Sequence, residues 1–130
     1  MASGRRVAAF AIVIPDYDAA IDFYVNQAGF VLIEDTRLSP DKRWVLVAPA
    51  QDAETRILLA RADGPAQAAA VGNQTGGRVG FFLHTEDFAR DHAAMTAAGV
   101  VFEEAPRQEP YGMVAVWRDP WGNRWDLLGR

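Results

Sequence analysis

The stretch RDPWGNRWDLL, residues 118–128, decides how this chain folds. Asp119, Pro120, Gly122 and Asn123 are turn formers, each for its own reason. Proline fixes φ, glycine reaches positive φ, and Asx side chains bond nearby backbone amides. On either side lie MVAVWR (113–118), which is β-branched and aromatic, and RWDLL (124–128), in which successive side chains take opposite faces of a sheet. The stretch therefore reads as a hairpin that feeds a final strand.

Worked outward from that hairpin, the chain shows one order of elements twice. Residues 7–14 (VAAFAIVI) form a short apolar strand bounded by Pro15. Asp16-Tyr17-Asp18 then offers a carboxylate cap to a helix running to about Gln27, with Ala20, Phe23, Tyr24 and Ala28 as its buried stripe. Gly29 stands where a C-terminal cap belongs. Residues 30–33, 44–48 and 56–60 read as strands; Ser39-Pro40-Asp41-Lys42 is a turn, and 49–54 is a polar connection. Residues 63–76 read as a linker without periodicity. The order then returns: a strand at 78–84, and a helix opened by Thr85-Glu86-Asp87 with Phe88, His92, Met95 and Ala98 on its stripe. Gly99 closes it, and strands follow at 100–103, 113–118 and 124–128, with a loop at 106–112 (PRQEPYG).

The expectation is one domain over residues 1–130, with an internal repeat at 7–62 and 77–128 joined by the linker 63–76. Four strands and one helix per half leave an open, one-sided sheet. Two such βαβββ modules give an α+β fold whose curved mixed sheets surround a cavity, with the helices outside.

Composition narrows the partners. The chain has 130 residues, half of them hydrophobic, which suffices for a continuous core. The net charge of −4 comes without a clustered basic face, so no nucleic-acid footprint is expected. The absence of cysteine removes disulfides, thiolate metal sites and cysteine nucleophiles. Arg5-Arg6 before the apolar run imitates a signal peptide, but the run stops at Pro15-Asp16 without a small-residue cleavage pattern. No stretch approaches the roughly 20 apolar residues that span a membrane. A cytoplasmic location is expected.

DYDAAIDFY and AGF in the first half, with EDF, AGV and DPWGN in the second, resemble the glyoxalase/bleomycin-resistance/dioxygenase (vicinal oxygen chelate) superfamily over residues 7–128. The resemblance implies a cup that in the metal enzymes holds one divalent ion through His and Glu from four strands. Imidazole and carboxylate suit such an ion while leaving positions open for substrate oxygens. The four matching positions here are Ala9, Leu58, Arg78 and Asp126, so three ligands are replaced and Asp126 alone is retained. No cofactor is expected, with a divalent metal as the lesser alternative. The resemblance also implies a homodimer, often with cavities completed by both chains.

Strand alternation puts Arg78, Gly80, Phe82 and His84 on one face. Because Arg78 falls at a ligand position, the resemblance implies that this is the cavity face, and by the same logic Arg124, Asp126 and Leu128, and Arg56, Leu58 and Ala60, face the cavity. The resemblance adds Val114, Val116 and Arg118. If Arg78 and Asp126 both point inward, a charge-assisted hydrogen bond between them fills the metal's place, either as a structural plug or as an anchor for an anionic or polar ligand. His84, near the rim, is a candidate general base beside Asp126, or a solvated surface residue. His92 reads as packing. Trp117 and Trp125 alternate toward the helices, whereas Trp44 and Tyr111 lie where a planar ligand could stack. Glu109 and Tyr111 are candidate lid elements, and Glu103-Glu104 an edge solvated by water.

Trp44, Arg56, Arg78, Phe82, His84, Tyr111, Val116, Arg118 and Asp126 are thus the candidate ligand-binding residues. The function expected from them is binding of a small organic molecule without the usual metal. The alternatives are a lyase, isomerase or dioxygenase-type enzyme of the same superfamily, with a displaced metal or with His84 and Asp126 as metal-free catalysts, and an accessory domain with a vestigial cavity.

Overall fold

The computed structural model describes residues 3–130 and arranges the strands in two sheets. The first has the order β1 (Ala9–Ile14), β4 (Arg56–Arg61), β3 (Lys42–Ala48), β2 (Val31–Ser39). The second runs β5 (Phe81–Thr85), β9 (Arg124–Gly129), β8 (Gly112–Arg118), β6 (Val101–Phe102), with β7 (Arg107–Glu109) also paired to β8. Each sheet begins with a parallel pair, β1 with β4 and β5 with β9, and continues antiparallel. The strands before and after the helix are thus brought together in the same way in both halves.

Helix α1 (Tyr17–Ile21) starts at Asp16, whose Oδ2 accepts from the Ala19 amide at 2.8 Å. It runs on into a π-helical segment, Asp22–Gln27, marked by the Ala28 amide reaching the Phe23 carbonyl at 2.9 Å. This wider turn rotates less per residue, so the neighbours Phe23 and Tyr24 share one buried face. Gly29, at φ +82°, then turns the chain out of the helix. Helix α3 (Phe88–Ala97) repeats the device, with Asp87 accepting from the Arg90 amide at 3.1 Å. Among the described residues no helix is long and apolar enough to cross a membrane.

The helix-facing sides of both sheets enter one core. Ile12, Ile14, Val45, Val47, Ile57 and Leu59 come from the first sheet, and Ala115, Trp117, Trp125 and Leu127 from the second. Phe23 and Tyr24 belong to the same cluster and reach the second sheet: their rings sit 6.2 Å from Trp117 and 6.0 Å from Trp125 respectively, and the two indoles stack at 4.9 Å. Full burial of an aliphatic side chain such as Ile12 or Leu59 contributes about 2 kcal/mol. Leu46, Ala48, Val114 and Val116 are buried but stand outside this cluster, as their position on the opposite faces requires.

Several boundaries differ from the sequence reading. Strand β2 extends to Ser39 because Glu34 to Arg37 pair with β3 while their side chains stay exposed, so no apolar pattern marks them. The second-half strand starts at Phe81, not at 78, and leaves Arg78 before it. The linker contains a helix, α2 (Gly64–Ala70), with Pro at its start and no buried residue, hence no stripe to betray it. The loop at 106–112 contains β7, a short polar strand that turns back at Pro110 and Tyr111.

Candidate functional site

On each sheet the face turned away from the helices is open. In the first sheet it carries Trp44, Leu46 and Leu58, the last two paired across strands, with Ala9 beside Arg56. Recesses of about 590 Å³ and 450 Å³ adjoin Trp44 at the two ends of this face. In the second sheet the corresponding residues are Phe82, His84, Val114, Val116, Arg118 and Asp126.

Asp126 occupies the middle of that second face. Register places Phe82 on one side of it and Val116 on the other, both apolar. Its Oδ1 is shielded from solvent and has no hydrogen-bond partner. Burial pushes its carboxyl above the ordinary range; Arg107 and Arg124 pull it back and Glu104 pushes it further up.

Those two arginines are already engaged. Arg107 donates to Glu109 at 2.6 Å and to Glu104 at 3.1 Å. Arg124 donates to Glu103 at 2.9 Å and to the Gly77 carbonyl at 3.0 Å. Glu104 also accepts from the Val116 amide at 2.9 Å. Glu103 and Glu104, expected only to meet water, are therefore ion-pair partners, and Glu109 belongs to the same network. Sequence reasoning missed Arg107, although Arg107-x-Glu109 has the spacing of one strand face.

The remaining candidates fall in different places. Arg78 makes no bond to Asp126: it is exposed before β5, and its Nε donates to the Val79 carbonyl at 3.1 Å. The pairing fails because the parallel register sets Phe82, four residues further on, against Asp126, and Arg78 stands before the strand. His84 is exposed, faces Leu128, and lines a recess of about 510 Å³ with Thr85, Glu86, Tyr111 and Arg130. It stands diagonal to Asp126 and does not face it. Tyr111 lies 59% exposed at the β7–β8 turn. Val116 is buried, Arg56 half-buried, and Arg118 exposed opposite Arg124. His92 stacks between Phe88 and Phe102, at 5.5 Å and 4.3 Å.

The four metal positions do not make a ligand set. Ala9 and Leu58 offer no donor, Arg78 stands outside the strand, and Asp126 is a single carboxylate. Among the described residues no three His, Cys, Asp or Glu side chains converge. A divalent ion needs more donors than this.

A second polar cluster is fully buried. Asp119, in the β8–β9 turn, is 2% exposed. Its Oδ1 accepts from the amides of Trp121, Gly122 and Asn123 at 3.0, 3.0 and 2.9 Å. Its Oδ2 accepts from the Asn123 side chain at 2.6 Å and from the Tyr24 hydroxyl at 2.7 Å. Burial and the neighbouring carboxylate push the Tyr24 hydroxyl well above its usual pKa. The turn is thus tied to the first half of the chain.

Known proteins share this architecture. The family model for the Glyoxalase/Bleomycin resistance protein/Dioxygenase superfamily matches residues 6–127. An uncharacterized protein of Shewanella frigidimarina (strain NCIMB 400) is 50% identical over 125 residues, covering 95% of this chain and 93% of that protein. The crystal structure of UcmS2 superposes with a TM-score of 0.84 at 28% identity, over 97% of this chain and 98% of its own. That of TnmS3, an antibiotic binding protein from Streptomyces sp. CB03234, gives 0.78 at 30% identity, over 99% and 98%. With both sheets, their parallel closing pairs and the DPWGN turn in place, the chain belongs to the glyoxalase/bleomycin resistance protein/dioxygenase superfamily.

Proposed function

We propose that this chain is a small-molecule-binding protein that holds its ligand against the open sheet faces and does not use the metal of the superfamily's enzymes. The observation that carries this reading is Asp126, a shielded carboxylate oxygen without a partner, set beside the exposed Phe82 ring. A buried acceptor left unmet costs roughly 1–3 kcal/mol, and a ligand that meets it recovers that cost. The similarity to an antibiotic binding protein supports the same reading.

The working unit in this account is one domain of two repeated halves, assembled as a cytoplasmic homodimer. Trp44, Phe82 and Tyr111 leave large apolar surfaces on both open faces, and a second copy would close over them as the far wall of the ligand's cavity. The metal-free catalytic alternative has less support, since His84 and Asp126 stand on neighbouring strands at diagonal positions.

A thermal-shift screen of aromatic and polycyclic small molecules tests the proposal, because specific binding stabilises the native state by mass action. At least one compound should raise the melting temperature of the wild type, with a smaller rise for Asp126→Asn. Stoichiometric transition metal in protein purified without chelator, with metal-dependent turnover, would overturn it.

A further inference from the structure

We propose that the open face of the second sheet selects an organic cation, a protonated amine carried on an aromatic body, with Asp126 as its counter-ion. The inference rests on the small-molecule reading above and adds the charge of the ligand, which the sequence had left anionic or polar.

Asp126 lacks a partner at Oδ1. Its neighbours across both strands are Phe82 and Val116, which have nothing to donate, and its Oδ1 is shielded and unpartnered. The nearest cations do not serve it. Arg107 is bound by Glu104 and Glu109, and Arg124 by Glu103 and the Gly77 carbonyl. Each arginine therefore arrives with its charge already balanced by carboxylate, and Asp126 remains as surplus negative charge.

Arg107 offers an anionic ligand no open receptor. To engage Arg107 it must displace two carboxylates and then lie against Asp126 and Glu104. Arg118, which has no ion pair among the described residues, stands at the end of β8 opposite Arg124, and Asp126 feels Arg107, Glu104 and Arg124 instead. A protonated amine meets the opposite situation. It pairs with the half-buried Asp126 carboxylate, which has no hydrogen bond at Oδ1 to give up, and its charge balances the surplus carboxylate. Phe82, 60% exposed beside Asp126, gives the ligand's ring a face to lie on and adds cation–π attraction.

Calorimetric titration of the intact protein at neutral pH with two probes of one shape, 1-naphthylmethylammonium and 1-naphthoate, tests this directly. The ammonium is expected to bind at least about tenfold more tightly, the ratio expected of one charged hydrogen bond. Asp126→Asn should remove that preference while leaving the melting temperature close to that of wild type. The wild-type comparison needs no variant, so it holds even if Asp126→Asn folds poorly. Equal or tighter binding of naphthoate overturns the cation assignment while supporting the binder reading beneath it. Binding of neither probe also overturns the assignment, and the binder reading then rests on the wider screen alone.

Discussion

The hydroxyl of Tyr24 donates a 2.7 Å hydrogen bond to Oδ2 of Asp119, joining residues 95 apart in the sequence inside the shared core. One end sits in the π-helical segment of the first half and the other in the turn before the last strand. The DPWGN turn therefore does two things: it closes a hairpin, and it docks the second sheet onto the first helix.

Tyr24→Phe removes one donor from a buried carboxylate and should cost about 1.5–3 kcal/mol in urea denaturation, with m unchanged. Asp119→Ala frees three turn amides as well and should cost more. The double variant should fall short of the sum, since both changes remove the same bond. Strict additivity would mean that the bond does not couple the halves.

Gly72→Ala should destabilise by about 2 kcal/mol or more. Gly72 adopts φ +71°, and a Cβ there would clash with the Trp121 carbonyl oxygen. The linker must therefore move off the DPWGN turn. Thermal melts read the loss, and an unchanged melting temperature would refute this close approach.

Asp126→Leu should stabilise the protein in a pH-dependent way. Burial raises the carboxyl above its ordinary 3.8, so the folded chain takes up the proton more readily than the unfolded chain. The carboxylate thus lowers stability as pH rises through the raised value, and this penalty vanishes below 3.8. The leucine variant should gain on the order of 1 kcal/mol at pH 7 and little at pH 3. A gain that is the same at both pH values would show that the charge is not the cause.

Sedimentation should give twice the chain's 14.3 kDa for the wild type, and Phe82→Glu should shift it toward monomer without unfolding. A charge there meets any covering surface while leaving the helix-side core untouched. A wild type that stays monomeric at micromolar concentrations contradicts the homodimer.

Much of the fold was legible because its signals are local. Asp16 and Asp87 cap their helices as their residue types demand, and Gly29 leaves the helix in the left-handed region. Trp117 and Trp125 face the helices, as strand alternation requires. The failures have physical reasons too. Helix α2 buries nothing and β7 is all polar, so neither leaves an apolar period to read. Arg78 was placed at a ligand position by the resemblance, but the register sets Phe82 against Asp126 and leaves Arg78 before the strand. The partners of Arg107 and the unmet state of Asp126 depend on distances between strands, which one sequence does not display.

The central claim is that ligands are held on the open sheet faces, and amide-resolved NMR tests it most directly. In a titration of labelled protein with the strongest compound from the thermal-shift screen, the account predicts shifts at Phe82, Val116 and Asp126, together with Trp44 and Leu58. Shifts confined to the groove of about 540 Å³ on the helix side, around Asn26, Arg90 and Ala94, with the open faces silent, would contradict it.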